Sequence, residues 1–390
     1  MKEIYFDNSA TTRIDPDALA VYNRISEENY GNPSSRHHLG KRAADALKVA
    51  KAELLAALGA KGGRIVFTSG GTEGNNLAIF GRAFAKERYA RGGKIITTAG
   101  EHSSVSLPLE ILKKQGFSVA YIPTRDGLLD MAALDSELTK DVILVTMMAV
   151  NNETGAVYPL RAVSDRMKST CPDAVLHADA TQSFMKIPFT PASIGADLVT
   201  VSSHKIMGPK GVGALYVSDA VIKNRGLAPV AVGGGQEDGL RSGTENLPGA
   251  CAFAAAARVY RAAFADRYAH IKGLKDYLLS SLAAREDLTG VTPNLPKGET
   301  APHIVNLTVA GMRSETVLND LSGKGIYVSS GSACSSHDNH LSEALLAFGK
   351  TRDEADSSIR VSFSYHNTRG EIDRFLSALA ETVATRAKKR

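Results

Sequence analysis

The sequence has few cysteines and no long apolar run. Cys171, Cys251 and Cys334 are its three cysteines, too scattered for a disulfide framework or a cysteine metal site. A reducing, cytoplasmic setting is therefore expected, with no bound metal. No stretch approaches the roughly 18 continuous apolar residues of a membrane span, and the first residues contain no signal-peptide core. The sequence predicts a protein that neither crosses a membrane nor is secreted.

Charge of one sign is also scarce. Lysine and arginine total 46 against 41 acidic residues, a net charge of +5. The one small basic cluster, 386–390, is interpreted as the solvated end of a helix and not as a nucleic-acid arm. No internal repeat or low-complexity linker interrupts the chain. With 390 residues, 43% of them hydrophobic, the composition predicts a globular protein of two or three domains.

Short apolar runs alternate with helical patterns through the first two thirds of the chain. This alternation predicts an α/β fold with a mainly parallel sheet flanked by helices, in which ligands bind at the carboxyl ends of the strands. The predicted strands are 64–68, 94–98, 118–122, 142–146, 175–179, 198–201 and 213–217.

The pattern changes after Pro248. Residues 250 to about 285 predict one long helix, and 304–309 and 359–363 predict strands of a smaller α+β domain. We predict a large domain over 14–258. The small domain would combine 1–13 with 259–390.

Two of the predicted strand ends carry opposite charges. Asp179 ends one apolar run, and Ser202-Ser203-His204-Lys205 follows a later one. A carboxylate and a lysine so placed suit an enzyme that holds pyridoxal 5'-phosphate (PLP), in which the lysine forms a Schiff base and the carboxylate keeps the pyridine nitrogen protonated. An ordinary surface lysine after a strand is the alternative interpretation.

Four further polar segments have two interpretations each. The glycine-rich stretch 68–76, before a predicted helix over 77–90, indicates a phosphate site or a capped turn. His102 could stack on a flat ring and move protons, or be a loop histidine. Residues 151–155 form a turn or present an amide to a cofactor. Residues 241–246 reach an anion or form a surface loop.

Cys334 and Arg360 are candidates for substrate chemistry. Cys334 lies among serine, glycine and alanine in 328–337, which is a poor packing environment but a suitable one for a nucleophilic thiol. Cys171 and Cys251 have contexts that suit packing. Arg360 lies within a predicted strand, so it needs an anionic partner, which is either a substrate carboxylate or a structural acid.

Taken in order, these segments resemble the cysteine desulfurases of the NifS/IscS type, which belong to the class-V aminotransferase group of fold-type I PLP enzymes. The resemblance runs nearly from end to end. It is carried by 5–12, 31–35, 67–73, 101–102, 150–155, 177–182, 203–205, 241–244 and 329–334.

The resemblance implies a role for each cofactor-binding residue. Lys205 would be the Schiff-base lysine, and Asp179 would pair with the pyridine nitrogen. Gln182 and Asn152 would contact the ring on the side of its phenolic oxygen. His102 would stack on the ring and help to move protons.

Phosphate and substrate contacts are implied in the same way. Thr244 would reach the phosphate of the neighbouring subunit, which implies a homodimer. Arg360 would bind the substrate carboxylate, with Asn32 and Asn152 nearby, and Cys334 would take the sulfur. The phosphate would be held by Gly71, Thr72, Ser202, Ser203 and His204.

The implied reaction removes sulfur from L-cysteine, giving L-alanine and a persulfide on Cys334. An acceptor protein in iron–sulfur cluster assembly, or in tRNA or cofactor thiolation, would then receive the sulfur. The alternatives are a selenocysteine lyase or an aminotransferase of the same fold, although an aminotransferase would not need Cys334. A non-catalytic sulfur-transfer adaptor is a further alternative, against which Lys205, Asp179 and His102 argue.

Two departures from the family pattern concern the sulfur acceptor. His337 and His340 follow Cys334 where similar proteins carry a Leu-Glu-Pro turn. They would tune the thiol, or cap and solvate the next helix, and we favour the second interpretation. The longer tail with which some relatives dock an iron–sulfur scaffold is expected to be missing or altered, which leaves the acceptor open.

Overall fold

A computed structural model describes residues 3–86, 92–330 and 341–387. Within these ranges no helix is both long and apolar enough to cross a membrane. The strands are β1 (Ile4–Tyr5), β2 (Arg64–Thr68), β3 (Lys94–Thr98), β4 (Ser118–Ile122), β5 (Val142–Met148), β6 (Val175–Asp179), β7 (Leu198–Ser202), β8 (Gly213–Val217), β9 (Val291–Pro293), β10 (Ile304–Val309), β11 (Ile326–Tyr327), β12 (Ser329–Ser330) and β13 (Ser358–Ser362). The helices are α1 (Pro16–Glu28), α2 (His38–Ala57), α3 (Gly71–Ala83), α4 (Ser103–Lys114), α5 (Met131–Glu137), α6 (Leu160–Thr170), α7 (Pro191–Ile194), α8 (Asp219–Lys223), α9 (Leu247–Ala262), α10 (Phe264–Ala283), α11 (Ser314–Gly323), α12 (Glu343–Phe348), α13 (Arg352–Asp356) and α14 (Arg369–Ala387).

A seven-stranded sheet forms the centre of the larger part of the molecule. Its strand order is β2-β8-β7-β6-β5-β3-β4, and β8 alone runs antiparallel to its neighbours. Strands β5 to β8 are buried along their whole length, as expected where helices cover both faces of a sheet. The predicted α/β class with a mainly parallel sheet is confirmed.

Alternation of side chains along β2 divides the core between the two faces of this sheet. Ile65 and Phe67 pack with residues of α1, α2 and α9, whereas Val66 packs with α3 and α4 on the other face. The parallel strands β3, β5, β6 and β7 therefore run between two helical layers. Their carboxyl ends meet at one edge, where polar residues follow them.

A second core surrounds the antiparallel sheet β12-β13-β10-β9 and includes α10, α11 and α14. The N-terminal segment joins it, because β1 pairs with β11 and Phe6 packs edge-to-face against Phe363 and Phe375. These contacts are compatible with a small domain built from both ends of the chain. The boundaries at 13/14 and 258/259 stay a prediction.

Two predicted helices were wrong in extent. The helix expected over 250–285 is broken at Ala263, whose dihedral angles are φ −127° and ψ 31°. The break lets α9 pack on the large core and α10 on the second core. The helix expected over 77–90 begins at Gly71 and ends at Ala83, because the glycine-rich segment itself supplies its first turn.

Candidate active site

A cavity of about 280 Å³ lies at the carboxyl ends of β3, β5, β6 and β7. Ten sequence-predicted residues line it: Gly71, Thr72, His102, Asn152, Asp179, Gln182, Ser202, His204, Lys205 and Arg360. Seven that were not predicted also line it: Ser9, Ala10, Asn75, Ser104, Met148, Val150 and Thr181. Residues at the ends of strands therefore account for most of the predicted lining. The residues not predicted include Ser9 and Ala10 of the N-terminal segment, and Asn75 and Ser104 on helices.

Lys205 extends from the turn that follows β7 toward the N-terminal segment. Its Nζ donates hydrogen bonds to the carbonyl oxygens of Ser9 and Ala10, both at 2.7 Å. Gln182 also donates from Nε2 to the Ser9 carbonyl, at 2.9 Å. This bond fixes one wall of the cavity, and the implied contact of Gln182 with a cofactor oxygen stays a prediction.

Asp179 is held as a buried carboxylate at the end of β6. Its Oδ1 accepts the backbone N–H of Thr181 at 2.9 Å, and its Oδ2 accepts Nδ2 of Asn75 at 2.7 Å. Only 6% of the residue is exposed. Donors on both oxygens fix the direction of the carboxylate.

Gly71 and Thr72 at the start of α3, together with Ser202, form a polar cradle in the wall of the cavity. Gly70 has φ 159° and ψ −175°, a conformation confined almost entirely to glycine, and no side chain caps the helix. A Cβ at Gly71 would lie 3.0 Å from Oγ1 of Thr181, so a larger residue would crowd the cavity. The buried Oγ of Ser202 has no partner among the described residues. Uncapped N–H groups and an unpartnered hydroxyl suit a phosphate group.

His204 completes this side of the cavity as a neutral ring. Burial lowers the pKa of its imidazole to about 4, and the nearby charges of Lys205 and Lys210 act in the same direction. Its Nδ1 lies 3.1 Å from Oγ1 of Thr11. A neutral imidazole next to the cradle can donate a hydrogen bond without adding charge.

Arg360 has a structural acid as its partner. Its Nη2 forms an ion pair with Asp7 Oδ1 at 3.0 Å, and Nη1 donates to the Asn152 carbonyl at 2.9 Å. Of the two anionic partners that the sequence allowed, the structure shows the acid of this chain. The Nε atom of Arg360 is buried and has no partner in the described structure, so the contacts with Asp7 and Asn152 do not use all the donors of the guanidinium.

Some predicted site residues lie elsewhere. Ser203 is fully buried beside Gly208 and does not line the cavity. Asn32 is exposed, and its side chain accepts the N–H of Ser34. Thr244 is exposed and lines a separate groove with Arg241. Cys334, His337 and His340 lie outside the described residues.

The structure adds Glu153, which the sequence left as part of a turn. Ser342, which caps α12, donates from Oγ to Glu153 Oε2 at 2.5 Å. Burial raises the pKa of Glu153 to about 7. Glu153 adjoins Asn152, whose carbonyl accepts from Arg360, so this contact ties α12 to the cavity.

Glu101 is a second buried acid, and it precedes His102. Met148 donates its backbone N–H to both carboxyl oxygens of Glu101, and Thr98 donates its hydroxyl to one of them. Burial is the main cause that raises the pKa of Glu101 to about 8. An acid directly after a strand was visible in the sequence, but its burial was not.

We expect Glu101→Gln to reduce the dependence of stability on pH. Between the unfolded value of 4.5 and the folded value of about 8, folded Glu101 keeps a proton that the unfolded chain loses. The free energy of unfolding of the parent should therefore fall as the pH rises through this window, and this contribution should be absent in the variant. We compare the free energy of unfolding of the variant with that of the parent at each pH. This difference should be about 1–3 kcal/mol more in favour of the variant at pH 8 than at pH 4.5.

Urea unfolding of both proteins at pH 4.5, 6 and 8 measures this difference. Glu110→Gln is the matched control, because the side chain of Glu110 on α4 is 47% exposed and pairs with Lys113. A parent and a Glu101→Gln variant whose stabilities change in parallel with pH would show that Glu101 is ionised in the folded protein.

No group of three or more histidine, cysteine, aspartate or glutamate residues in the described ranges could hold a metal ion. The charged and titratable side chains that line the cavity are Lys205, Asp179, Arg360, His102 and His204. These groups suit the binding of an anionic, electron-accepting aldehyde cofactor beside an amino acid.

Comparisons with known proteins show what the whole chain is similar to. The model of the family described as aminotransferase class-V matches residues 4–375. The chain is 38% identical over 381 residues to a NifS/IcsS protein homolog of Lactobacillus delbrueckii subsp. bulgaricus, covering 97% of this chain and 96% of the relative. It is 35% identical over 383 residues to the cysteine desulfurase IscS of Dictyoglomus turgidum, covering 98% and 95%. A solved structure described as a NifS-like protein superposes with a TM-score of 0.90 at 34% identity, over 98% of this chain and all of the other.

Proposed function

The chain belongs to the class-V aminotransferase family, among its cysteine desulfurases of the NifS/IscS type, and from this premise we propose that it is a PLP-dependent cysteine desulfurase. It converts L-cysteine to L-alanine and leaves the sulfur as a persulfide on Cys334. The observation that carries the proposal is the placement of Lys205 and Asp179 in one cavity with an uncapped helix start.

The residues of the cavity fit PLP. The cradle of Gly71, Thr72 and Ser202 would hold its phosphate, Asp179 would face its pyridine nitrogen, and Lys205 would bind its aldehyde carbon. When bound, PLP supplies an electron sink for a carbanion at the α-carbon of an amino acid. Ser203, which is buried below the cavity, would support the cradle without touching it.

The remaining residues bind and orient the substrate. Arg360 attracts a carboxylate through its positive charge and the N–H donors that Asp7 and Asn152 do not engage. Lys205, which lines the cavity, would be placed to hold or return a proton at Nζ. His102 lies beside the same cavity and would lie against the cofactor ring. Asn32 would serve the substrate only after a rearrangement or from a partner subunit.

The sulfur step needs no external oxidant. The Cys334 thiolate attacks the sulfur of the substrate, a sulfur–sulfur bond forms, and the carbon–sulfur bond breaks. The electron pair of the broken bond stays on the substrate carbon, which takes a proton and becomes the methyl group of alanine. An acceptor protein for iron–sulfur assembly or thiolation then removes the sulfur from Cys334.

Incubation of the purified, PLP-loaded protein with L-cysteine and a dithiol tests the activity. We expect alanine and sulfide in equal amounts. When a keto acid is added as amino acceptor, conversion of cysteine to its own keto acid and of the added keto acid to an amino acid, without sulfide, would instead identify an aminotransferase. Turnover of selenocysteine with no turnover of cysteine would identify a selenocysteine lyase.

We further propose a cytoplasmic homodimer in which Thr244 completes the phosphate site of the other subunit. Thr244 is exposed and outside the cavity of its own subunit, which supports this role. A hydrogen bond to a phosphate contributes about 1.5–3 kcal/mol, so Thr244→Ala should weaken PLP binding at least about tenfold.

Mixed dimers test whether the site is shared. A Lys205→Ala protomer contributes an intact Thr244, and a Thr244→Ala protomer contributes an intact Lys205, so the mixed dimer should contain one complete site. We expect tight binding of one PLP and about half of the parent activity per mixed dimer. If Thr244 acts within its own subunit, the mixed dimer will be no better than the variant homodimers.

A further inference from the structure

A hydrogen-bonded chain joins Asp179 to His102 through two residues that the proposed reaction does not use. Asn75 on α3 donates from Nδ2 to Asp179 Oδ2 at 2.7 Å and to Ser104 Oγ at 2.8 Å. Ser104 Oγ lies 2.8 Å from Nδ1 of His102, and the Ser104 backbone N–H also donates to that nitrogen, at 3.1 Å. Asn75 is 1% exposed and Ser104 is 7% exposed.

The directions of these bonds follow from the groups that form them. A backbone N–H can only donate, so Nδ1 of His102 must be an acceptor and carries no hydrogen. The amide of Asn75 cannot be reversed, because its oxygen would then face the carboxylate of Asp179. Its nitrogen therefore gives one hydrogen to Asp179 and the other to Ser104.

Ser104 is left with one possible arrangement. Its Oγ accepts from Asn75, so its own hydrogen is available for Nδ1 of His102. The chain of donors thus runs in one direction on this side, from Asn75 through Ser104 to His102. Neutral His102 must carry its proton on Nε2.

We propose that Asn75 and Ser104 are positioning residues that hold His102 as the Nε2–H tautomer and fix its ring relative to Asp179. A proton added to this ring must go to Nδ1, where it would face the backbone N–H of Ser104, a donor that cannot turn away. Neutral His102 therefore enters the reaction as a hydrogen-bond donor through Nε2. This consequence for the reaction rests on the proposed function, whereas the tautomer does not.

Nitrogen NMR of the PLP-loaded protein labelled at histidine measures the tautomer directly. The chain has 10 histidines, and the resonances that disappear in His102→Gln identify those of His102. We expect a pyridine-type Nδ1 and a pyrrole-type Nε2 in the parent. A pyrrole-type Nδ1 would overturn the inference.

Ser104→Ala removes one of the two donors to Nδ1 and separates the ring from Asn75. We expect the ratio of the two tautomers to shift roughly fivefold toward Nδ1–H, the effect of losing one ordinary hydrogen bond. Ser103→Ala is the matched control, because Ser103 is an exposed serine in the same helical turn. Ser104→Thr keeps the hydroxyl and should restore the parent spectrum. Identical His102 spectra in Ser104→Ala and Ser103→Ala would overturn the inference.

Asn75→Ala provides an independent arm in case Ser104→Ala does not fold. It leaves Ser104 in place but frees its hydroxyl to rotate, so a smaller shift in the same direction is expected, and no shift would count against the inference. In the activity assay Ser104→Ala should lower kcat about three- to tenfold with KM and PLP content unchanged. A parent protein without desulfurase activity but with the expected tautomer would refute the proposed function and leave this inference supported.

Discussion

Cys334→Ser should abolish sulfide release while leaving the binding of PLP and cysteine intact. A hydroxyl is a poor attacker on sulfur, and the cavity groups that bind cofactor and substrate are unchanged. We expect alanine and sulfide formation to fall by at least about 10³-fold, as is typical when a nucleophile is removed. The visible absorbance change on adding cysteine should match that of the parent.

The other two cysteines provide the controls for Cys334. Cys171 is buried at the end of α6 and Cys251 lies in α9, and burial raises the pKa of both thiols, that of Cys251 to about 11. Cys171→Ser and Cys251→Ser should therefore keep near-parental rates. Full activity of Cys334→Ser, together with loss of activity in either control variant, would place the sulfur on another residue.

Lys205→Ala should remove the covalent attachment of PLP and turnover together. The Nζ atom of Lys205 is held in the cavity by hydrogen bonds to two carbonyl oxygens. A covalent bond to the cofactor would replace these hydrogen bonds. Borohydride reduction of the parent should fix the pyridoxyl group on Lys205, as peptide mass spectrometry would show. Activity should fall at least about 10³-fold in the variant.

Lys210→Ala is the matched control for Lys205→Ala, because Lys210 is exposed in the same segment. Lys186 provides a stricter comparison, since it is buried and burial lowers its pKa to about 8. A pyridoxyl label on Lys186 or Lys210 would contradict the assignment of Lys205.

The carboxyl-end positions of the site were predictable because parallel strands of this length bring their ends to one edge. Asp179 ends a strand, and Lys205 and His102 follow strands, whose apolar runs are visible in the sequence. The glycine pair at the start of α3 was predictable for a similar reason, since it lies between a strand and a helix. Local pattern and sheet geometry suffice for these residues.

The contacts between distant segments were not predictable from local pattern. Arg360 meets Asp7 across most of the chain, and Asn75 reaches Asp179 from another helix. The break at Ala263 depends on which core each half of the helical stretch faces. These features are set by packing between elements, for which the periodicity of one segment contains no signal.

The central claim is that sulfur from cysteine passes to Cys334. Mass spectrometry of the PLP-loaded parent, after brief exposure to L-cysteine without reductant, tests it most directly. We predict one added sulfur atom on the peptide that contains Cys334, which a dithiol removes as sulfide and which is absent from Lys205→Ala. Sulfur added to Cys171 or Cys251 instead, or alanine formed with Cys334 unmodified throughout, would contradict the account.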